Sequence, residues 1–417
     1  MVDSYLELNL IFEELKVLSV SELISIDSGK INRIIRKYAN KIYIVPMVTY
    51  RIGHLALNTE DFLRYHYHHL EEYKARKELV VLVDNNFIGE VSNLQLFEMV
   101  KRRIPVINRT FFAVIIELAK NDPDLWSIDN SPLFYSWLRN TSEFFNAPPQ
   151  LWFTPEEETK GRRLLQDMGI EPDKPFVCFH NRDSAYLDYL NSKVDWSYHD
   201  YRDSDIENYL PAINYLVQQG YYCIRMGQKV SKSIEFGSSK IIDYASEYRS
   251  DFGDIYLSAK CSLFLGSGTG ISHVSTIFNK PCLMTNMIPV VFSPNPVVIP
   301  SGFENILPVI YKKCWYSEEK RFLTFKELLV SQMHNWGNHT ENYRKLGIEV
   351  VQNSPEEILD FTIEMHRRIS GTWVETQDDI ELLDKFYRLF SNNKGECCFP
   401  YTRVGSTFIK KNSFLLE

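Results

Sequence analysis

The residues with the clearest chemical potential are a run of glycines and hydroxyl side chains, GSGTGISH, that starts at Gly266. The run follows the apolar segment CSLFL and precedes a helical pattern, so it predicts a turn between a buried strand and a helix. Backbone N–H groups lie unshielded at such a turn. They attract anions, because the first amides of a helix lack partners and its dipole is positive there. The pattern predicts a site for the phosphates of a nucleotide or a nucleotide-sugar.

A purely structural explanation of the same glycines stays open. Gly266, Gly268 and Gly270 would also suit a tight strand-to-helix turn in which glycine supplies a positive φ. The run is not the dinucleotide GxGxxG pattern, and it lacks the Lys-Ser/Thr pair of a P-loop.

Charged side chains follow two other strand patterns of the same part of the chain. Arg182 comes just after PFVCFHN, and Arg225 ends YYCIR. Because ligands of open α/β sheets bind at the carboxyl ends of strands, these guanidinium groups are expected to meet phosphate oxygens. Ordinary surface ion pairs are the alternative for both. His273, about one turn into the helix after the glycines, is a further candidate for phosphate contact.

A long polar segment, residues 183–209, separates the first of these strands from its helix. It mixes aromatic rings, His199 and Arg202 with several aspartates. A loop of this length is usually functional or mobile, and its composition suits a hydroxyl-rich ligand such as a sugar. A solvated loop would explain the composition as well.

His54 is the candidate general base. The strand pattern IYIVPMV runs into TYRIGHLALNTE, where Gly53 permits close backbone approach and His54 follows it. Histidine is the side chain most easily poised near neutral pH to take a proton from a hydroxyl group. Glu60 or Asp61 could orient the imidazole. A structural histidine at a helix start is the alternative.

Strand patterns alternate with helical ones in two runs, which predicts parallel sheets in βαβ units. The fold class is therefore α/β, with two Rossmann-like domains facing each other across a cleft. The predicted boundaries are an N-terminal acceptor domain at 1–150 with a helical extension, a C-terminal donor domain at 151–371, and a C-terminal helix and tail at 372–417. The tail is expected to pack on the N-terminal domain or to stay partly free. Residues 290–340 receive no assignment.

The composition of the chain limits the classes of partner that it is expected to bind. The chain has 417 residues, a formal net charge of −8 and no long basic block, which disfavours nucleic acid. It has no apolar run of about 18 residues, and its acidic start does not resemble a signal peptide. We therefore expect a cytoplasmic protein, with room for peripheral association at the inner face of a membrane. The oligomeric state cannot be read from the sequence.

No metal site is predicted. The seven cysteines form no CxxC pair, and Cys178, Cys223, Cys261 and Cys282 fall in buried strand patterns. Cys397 and Cys398 near the end suggest a disordered tail. The histidines of HYHH have no carboxylates or cysteines placed to complete a ligand set, so we interpret them as an exposed helix face. They are His66, His68 and His69.

These segments together resemble the GT-B glycosyltransferases, in particular bacterial glycosyltransferases of surface-polysaccharide loci. GSGTGISHVSTIFNKP also resembles the heptosyltransferase pattern, in which a Gly/Ser-rich turn and a His-bearing helix contact the donor. The resembling segments span most of residues 41–290. They are YRIGHLALNTE (50–60), HNRDSAYL (180–187), YHDYRDSDIENYLPAINYLVQQGYYCIRMG (198–227) and FLGSGTGISHVSTIFNKPCL (264–283).

The resemblance implies a nucleotide-sugar donor, a glycan or lipid-linked saccharide acceptor, and no cofactor or metal. Residues implied or expected at the donor diphosphate are Arg182, Arg225, Ser267, Gly268, Thr269, Gly270 and His273. Further candidate contacts are Arg51, Gly53, His180, Asn181, Asp183 and Ser272. RIGHLA stands where heptosyltransferases carry Arg-x-Gly-Asp with a catalytic aspartate. His54 replaces that acid here, which leaves the identity of the base open.

The mechanism that follows is transfer with inversion, in which His54 deprotonates the acceptor and the donor site stabilises the leaving diphosphate. Three alternatives remain at this point. The chain could be a sugar-nucleotide epimerase or hydrolase of the same fold, a non-catalytic nucleotide-sugar binding subunit, or a structural scaffold with ordinary Rossmann turns.

Overall fold

The computed structural model describes residues 27–84, 90–107, 109–128, 141–186, 194–230, 232, 237–288, 307–331, 337–391 and 403–417. The chain divides into two compact units, Met1–Phe153 and Thr154–Glu417. Each unit contains a parallel sheet with helices between its strands, so the predicted α/β class is confirmed. The cleft between two facing domains stays a prediction.

The first unit has a four-stranded parallel sheet in the order β3-β2-β1-β4. Its strands are β1 Lys41–Met47, β2 Glu78–Asp84, β3 Val106–Ile107 and β4 Trp126–Ile128. Its α-helices are α1 Ser28–Ile35, α2 Thr59–His68, α3 Leu70–Arg76, α4 Leu94–Arg103, α5 Arg109–Asn121 and α6 Thr141–Asn146, and a π-helix spans His54–Asn58. Strands β1 and β2 fall where the apolar runs predicted them, because parallel strands are buried on both faces.

Residues 122–150 contain β4 and α6. Strand β4 has three residues, which is too short to show a strand periodicity in the sequence. Of the helical extension expected at the start of the chain, residues 1–26 lie outside the described residues, and α1 is described.

The second unit has a six-stranded parallel sheet in the order β10-β9-β8-β5-β6-β7. The strands are β5 Phe176–His180, β6 Tyr222–Arg225, β7 Ile241–Ile242, β8 Leu263–Ser267, β9 Cys282–Met287 and β10 Val309–Tyr311. The chain starts at β5, moves outward through β6 and β7, and returns to place β8 on the other side of β5. This is the doubly wound Rossmann order, whose direction reverses between β5 and β8.

The α-helices of the second unit surround that sheet and extend to the end of the chain. They are α7 Pro155–Asp167, α8 Leu210–Gln218, α9 Tyr244–Glu247, α10 Asp251–Lys260, α11 Gly270–Ile277, α12 Phe325–Val330, α13 Thr340–Lys345, α14 Pro355–Ile369, α15 Gln377–Ser391 and α16 Ser406–Lys411. Short 3₁₀ helices span Ser197–Arg202, Ile206–Tyr209 and Ser413–Leu416. Ser354 caps α14, because its hydroxyl oxygen accepts from the Glu357 amide. Asp205 caps the 3₁₀ turn that precedes α8, because its carboxylate accepts from the Glu207 amide.

A small second sheet is antiparallel in the order β12-β11-β13, with β11 Lys313–Tyr316, β12 Arg321–Phe322 and β13 Ile348–Val351. Strands β11 and β12 lie in the region that the sequence left unassigned, residues 290–340, and β13 follows that region.

The C-terminal segment packs on the second unit, whereas the sequence analysis allowed for packing on the first. Buried Glu364 of α14 accepts from the amides of Ser406 and Thr407 at 3.0 and 2.8 Å. The Val309 amide donates to the Arg403 carbonyl at 2.7 Å. A buried carboxylate at the start of α16 thus anchors the segment after Val404.

Candidate functional site

The predicted glycine turn lies at the switch point of the second sheet. His180 at the end of β5 is paired in register with Gly266 of β8. The turns that follow these two strands therefore emerge side by side where the strand order reverses. In doubly wound sheets this crevice is the place where ligands bind. The structure brings Arg182 and Ser267 together there, because the Arg182 amide donates to Ser267 Oγ at 2.8 Å.

Gly266 allows two strands to pack closely, a role that the sequence analysis did not predict. A Cβ at this position would lie 2.1 Å from the carbonyl oxygen of His180, so only glycine allows β8 to approach β5 this closely. Neither Gly266, Gly268 nor Gly270 has a positive φ. The alternative explanation of the glycines by backbone conformation is therefore wrong, and close strand contact replaces it at Gly266.

Gly266→Ala should lower the free energy of unfolding by about 1–3 kcal/mol, because the methyl group would clash with backbone rather than with a flexible side chain. Gly237→Ala is the matched control, since a Cβ there meets nothing within 4 Å. The control should stay within about 0.5 kcal/mol of the wild type. Urea unfolding of both variants measures the difference, and equal stabilities would contradict the close-contact explanation.

Helix α11 begins directly after the turn, with Thr269 as its N-cap residue. The Thr269 amide donates to Ser272 Oγ at 3.3 Å, and the Ser272 hydroxyl donates to the Thr269 carbonyl at 2.7 Å. Ser272 is fully buried, so its placement supports a capping role rather than the predicted ligand contact. The cap uses the Thr269 amide, so the amides of Gly268 and Gly270 stay as the predicted anion contacts, as does half-buried His273.

Two arginines flank the turn. Arg182 Nε lies 3.2 Å from Asp203 Oδ1. Arg202, which the sequence analysis placed only in the long polar segment, donates through Nη2 to the Gly268 carbonyl at 2.7 Å. The 3₁₀ helix Ser197–Arg202 thus returns the polar segment to the glycine turn. The guanidinium of Arg202 adds positive charge at the predicted anion site.

Lys312 was not a candidate in the sequence, and it lies buried next to these arginines. Its ammonium group donates to the Tyr201 carbonyl at 2.9 Å and also to the Asp203 carbonyl. Burial lowers the pKa of Lys312 to about 8, and the charges of Arg182 and Arg202 act in the same direction. Lys312 follows β10 directly, so it ties the segment around Tyr201 to the sheet.

His180 and Asn181 hold the turn after β5. His180 Nδ1 donates to the Met226 carbonyl at 2.9 Å, and burial lowers the pKa of His180 to about 4, which keeps the ring neutral. Asn181 Nδ2 donates to the Ser204 carbonyl at 2.7 Å, and Asn181 is buried. Both therefore shape the turn. Asp183 accepts from the Ala185 amide at 3.1 Å and is half-buried, so its ligand contact stays a prediction.

Arg225 lies in the interior. Its side chain is 1% exposed, and its Nη1 lies 3.2 Å from Asp243 Oδ2 and 2.7 Å from the Lys232 carbonyl. This placement does not support the predicted phosphate contact. The strand pattern located Arg225 correctly at the end of β6, but it could not show that Asp243, after β7, would take up the guanidinium. We assign the pair to stabilising this edge of the sheet.

In the first unit, His54 begins the π-helix that follows β1. Short π-helical segments are frequent at functional sites. Burial and the positive charge of Arg51 lower the pKa of His54, while a hydrogen bond to the Asn58 side chain acts in the opposite direction. A lowered pKa leaves the imidazole neutral near pH 7, the form that accepts a proton.

A hydrogen-bond partner of His54 is the Asn58 side chain, one helical turn on, whereas the sequence analysis expected Glu60 or Asp61. Glu60 is fully buried: its Oε1 accepts from Arg64 Nε at 2.8 Å and from the Gln150 amide at 2.7 Å. Asp61 is buried in the same helix. The i,i+4 spacing of His54 and Asn58 was the available sequence signal. Arg51 is exposed and Gly53 directly precedes the π-helix.

The HYHH run is only partly the exposed face that we expected. His68 is exposed and His69 half-buried, but His66 is 2% exposed. The His66 ring packs against Phe62 and Tyr73, with centroid distances of 6.3 and 5.1 Å. Burial and the charge of Arg103 lower the pKa of His66 to about 4.

Because the folded-state pKa of His66 is depressed, its neutral form contributes stability that is present above the unfolded pKa and is lost as pH falls. We expect the wild type to lose about 2 kcal/mol of unfolding free energy through this residue between about pH 7.5 and about pH 5. His66→Phe should remove that loss. His68→Phe, at an exposed position, is the control for urea unfolding at both pH values; an equal pH effect in both variants would contradict the assignment.

Within the described ranges, no group of three or more His, Cys, Asp or Glu side chains could hold a metal ion. Five of the cysteines are described, and all five are buried free thiols: Cys178, Cys223, Cys261, Cys282 and Cys314. Cys397 and Cys398 lie outside the described residues. In the same part of the chain, no helix is long and apolar enough to cross a membrane.

No family model matches the chain, and no curated protein matches it either. Among solved structures, it is similar to a glycosyl transferase family 9 protein from Veillonella parvula, with 10% identity, coverage of 60% of this chain and 81% of that chain, and a TM-score of 0.34. It is also similar to E. coli ADP-heptose LPS heptosyltransferase II, with 12% identity, 74% and 98% coverage, and a TM-score of 0.36.

UDP-GlcNAc 2-epimerase from Neisseria meningitidis is similar to a comparable degree, with 11% identity, 79% and 100% coverage, and a TM-score of 0.31. Heptosyltransferases are thus among the solved structures that this chain is similar to, as the sequence resemblance implied. Likenesses of this size concern only the general arrangement of strands and helices. They do not distinguish a transferase from an epimerase.

Proposed function

We propose that the chain is a glycosyltransferase that moves a sugar from a nucleotide-diphosphate-sugar to a hydroxyl group of a glycan or glycoconjugate. The observation that carries the proposal is the switch point of the second sheet. A helix start, the close turn at Gly266, the Arg182 backbone amide and the Arg202 guanidinium meet there. The resemblance of GSGTGISHVSTIFNKP to the heptosyltransferase pattern supports a sugar-bearing diphosphate as the ligand.

The chemistry of the site suits a leaving diphosphate. When the bond from the sugar to the diphosphate breaks, negative charge develops on the departing phosphate oxygen. Backbone amides of Gly268 and Gly270 and the guanidinium groups of Arg182 and Arg202 would stabilise that charge. Preorganised donors of this kind usually supply the largest part of a rate enhancement.

We assign the general base to His54. The neutral imidazole accepts the proton of the acceptor hydroxyl as the oxygen attacks the anomeric carbon, and the electron pair of the breaking bond leaves with the diphosphate. Attack opposite the leaving group inverts the anomeric configuration. Asn58 holds the imidazole ring through their hydrogen bond. The proposal includes no metal ion, and its acceptor is a surface polysaccharide or a precursor of one.

The test is acceptor dependence. The purified chain is incubated with UDP-, ADP-, GDP- and dTDP-sugars, each with and without a saccharide or lipid-linked saccharide acceptor, and released nucleoside diphosphate is measured. A transferase releases it only with acceptor. Release without acceptor would indicate a hydrolase, and conversion of the sugar without release would indicate an epimerase; either result overturns the proposal.

A further inference from the structure

The ion pair between Arg182 and Asp203 is loose. Arg182 Nε and Asp203 Oδ1 are 3.2 Å apart, and the side chains are 15% and 27% exposed. Both atoms are nevertheless buried, and neither has a hydrogen-bond partner among the described residues. A pair with good geometry would satisfy both atoms with one hydrogen bond. The guanidinium is therefore held near a carboxylate without being fully satisfied by it.

The pair lies at the edge of the glycine turn because backbone contacts place it there. The Arg182 amide donates to Ser267 Oγ at 2.8 Å, and the Arg182 carbonyl accepts from the Ser204 amide at 3.0 Å. The Lys312 ammonium group donates to the Asp203 carbonyl oxygen, and the Arg202 guanidinium donates to the Gly268 carbonyl oxygen. The Asp203 carboxylate thus stands beside the cation that the proposed donor site offers to a diphosphate.

Carboxylate and phosphate oxygens bind guanidinium groups in the same way. We propose that Asp203 determines the affinity of the donor site, by competing with the donor diphosphate for Arg182. In the ligand-free protein the carboxylate stands in for a phosphate oxygen, and donor binding releases it from Arg182. This inference rests on the proposed function. It adds Asp203, which opposes donor binding, to the residues that favour donor binding.

The surroundings of Asp203 allow protonation to relieve this competition. Burial raises the pKa of Asp203 to about 6, with Asp200 and Asp183 acting in the same direction and Arg182 and Lys312 against it. Between about pH 7.5 and about pH 5.5, part of the carboxylate becomes neutral. Lys312, with a pKa of about 8, becomes more fully protonated over the same range and acts in the same direction on donor affinity. The affinity for a donor should rise as the pH falls across this range.

The first experiment compares the wild type with Asp203→Asn by calorimetric titration with UDP-glucose, UDP-N-acetylglucosamine, ADP-glucose, GDP-mannose and dTDP-glucose. Sugar-linked diphosphates avoid the second ionisation of a terminal phosphate, which lies near a pKa of about 6. Asp203→Asn should bind about 2- to 5-fold more tightly, a change of the size that solvent-accessible charge pairs produce. Asp200→Asn removes the same charge from the same segment and is the matched control.

A gain in Asp203→Asn that exceeds the gain in Asp200→Asn supports direct competition. Equal gains would show general repulsion and overturn it, and so would unchanged or weaker binding in a variant that melts at the wild-type temperature. The pH arm is a second readout: wild-type affinity should rise as the pH falls, and Asp203→Asn should respond less. Equal pH responses contradict the proposal.

A double-mutant cycle identifies the partner. If Asp203 acts through Arg182, Asp203→Asn should give no further gain in an Arg182→Gln background. A full gain in that background would overturn the competition for Arg182 while leaving the proposed function intact. If no donor binds the wild type but one binds Asp203→Asn, competition is supported. If no donor binds any variant, the proposed function itself fails.

Discussion

His54→Ala is expected to lower turnover about 10²- to 10⁴-fold, the range that loss of a general base produces. The affinity for the nucleotide-sugar should stay nearly unchanged, because the proposed diphosphate contacts all come from the second unit. Burial and Arg51 lower the pKa of His54, so the imidazole should be neutral and active at pH values where the wild type works. Steady-state kinetics with the donor and acceptor found in the acceptor-dependence test give both quantities.

Two further variants test whether the loss of turnover is specific to His54. His68→Ala removes an exposed histidine from the neighbouring helix and should leave turnover unchanged. Asn58→Ala leaves the base in place but removes the hydrogen bond that holds it, so turnover should fall by less than in His54→Ala. Wild-type turnover in His54→Ala would remove this residue from the mechanism.

Arg182→Gln should weaken nucleoside diphosphate binding about 10- to 100-fold, because a charge-assisted hydrogen bond contributes about 1.5–3 kcal/mol. Calorimetric titration with the nucleoside diphosphate that binds the wild type most tightly measures the change.

Arg344→Gln is the matched control for this arginine. Arg344 belongs to the same unit, is 65% exposed, and pairs only weakly with Glu341, at 4.0 Å. Removing it takes the same charge from the unit and should change the affinity by less than about twofold. Similar losses in the two variants would mean that the net charge of the unit, and not a contact at the turn, governs binding.

Parts of the fold were predictable because their periodicity was long enough to read. The apolar runs IYIVPMV, PFVCFHN and YYCIR coincide with β1, β5 and β6, and the helix expected after the glycine turn is α11. Strand β4 was missed because three residues carry no pattern. The region that holds β10 to β12 was missed because each of its strands has no more than four residues.

The candidate site was likewise predictable only in part. Its place in the fold followed from the strand-turn-helix pattern at Gly266, and Arg182 lies at that place as expected. Side-chain partners that come from distant strands could not be read from one sequence. Lys312 lies over 100 positions from the segment that it holds, and the ion pair that buries Arg225 depends on where β7 ends.

The central claim is that the switch point between β5 and β8 binds the diphosphate of a nucleotide-sugar. The most direct measurement is a calorimetric titration of the wild-type chain with UDP, ADP, GDP, CDP and dTDP and with the corresponding monophosphates. We predict that at least one diphosphate binds, and that its monophosphate binds about tenfold more weakly or worse, since it lacks one of the two phosphate groups. Absence of binding across the whole set, or equal affinity for a monophosphate and its diphosphate, would contradict the account.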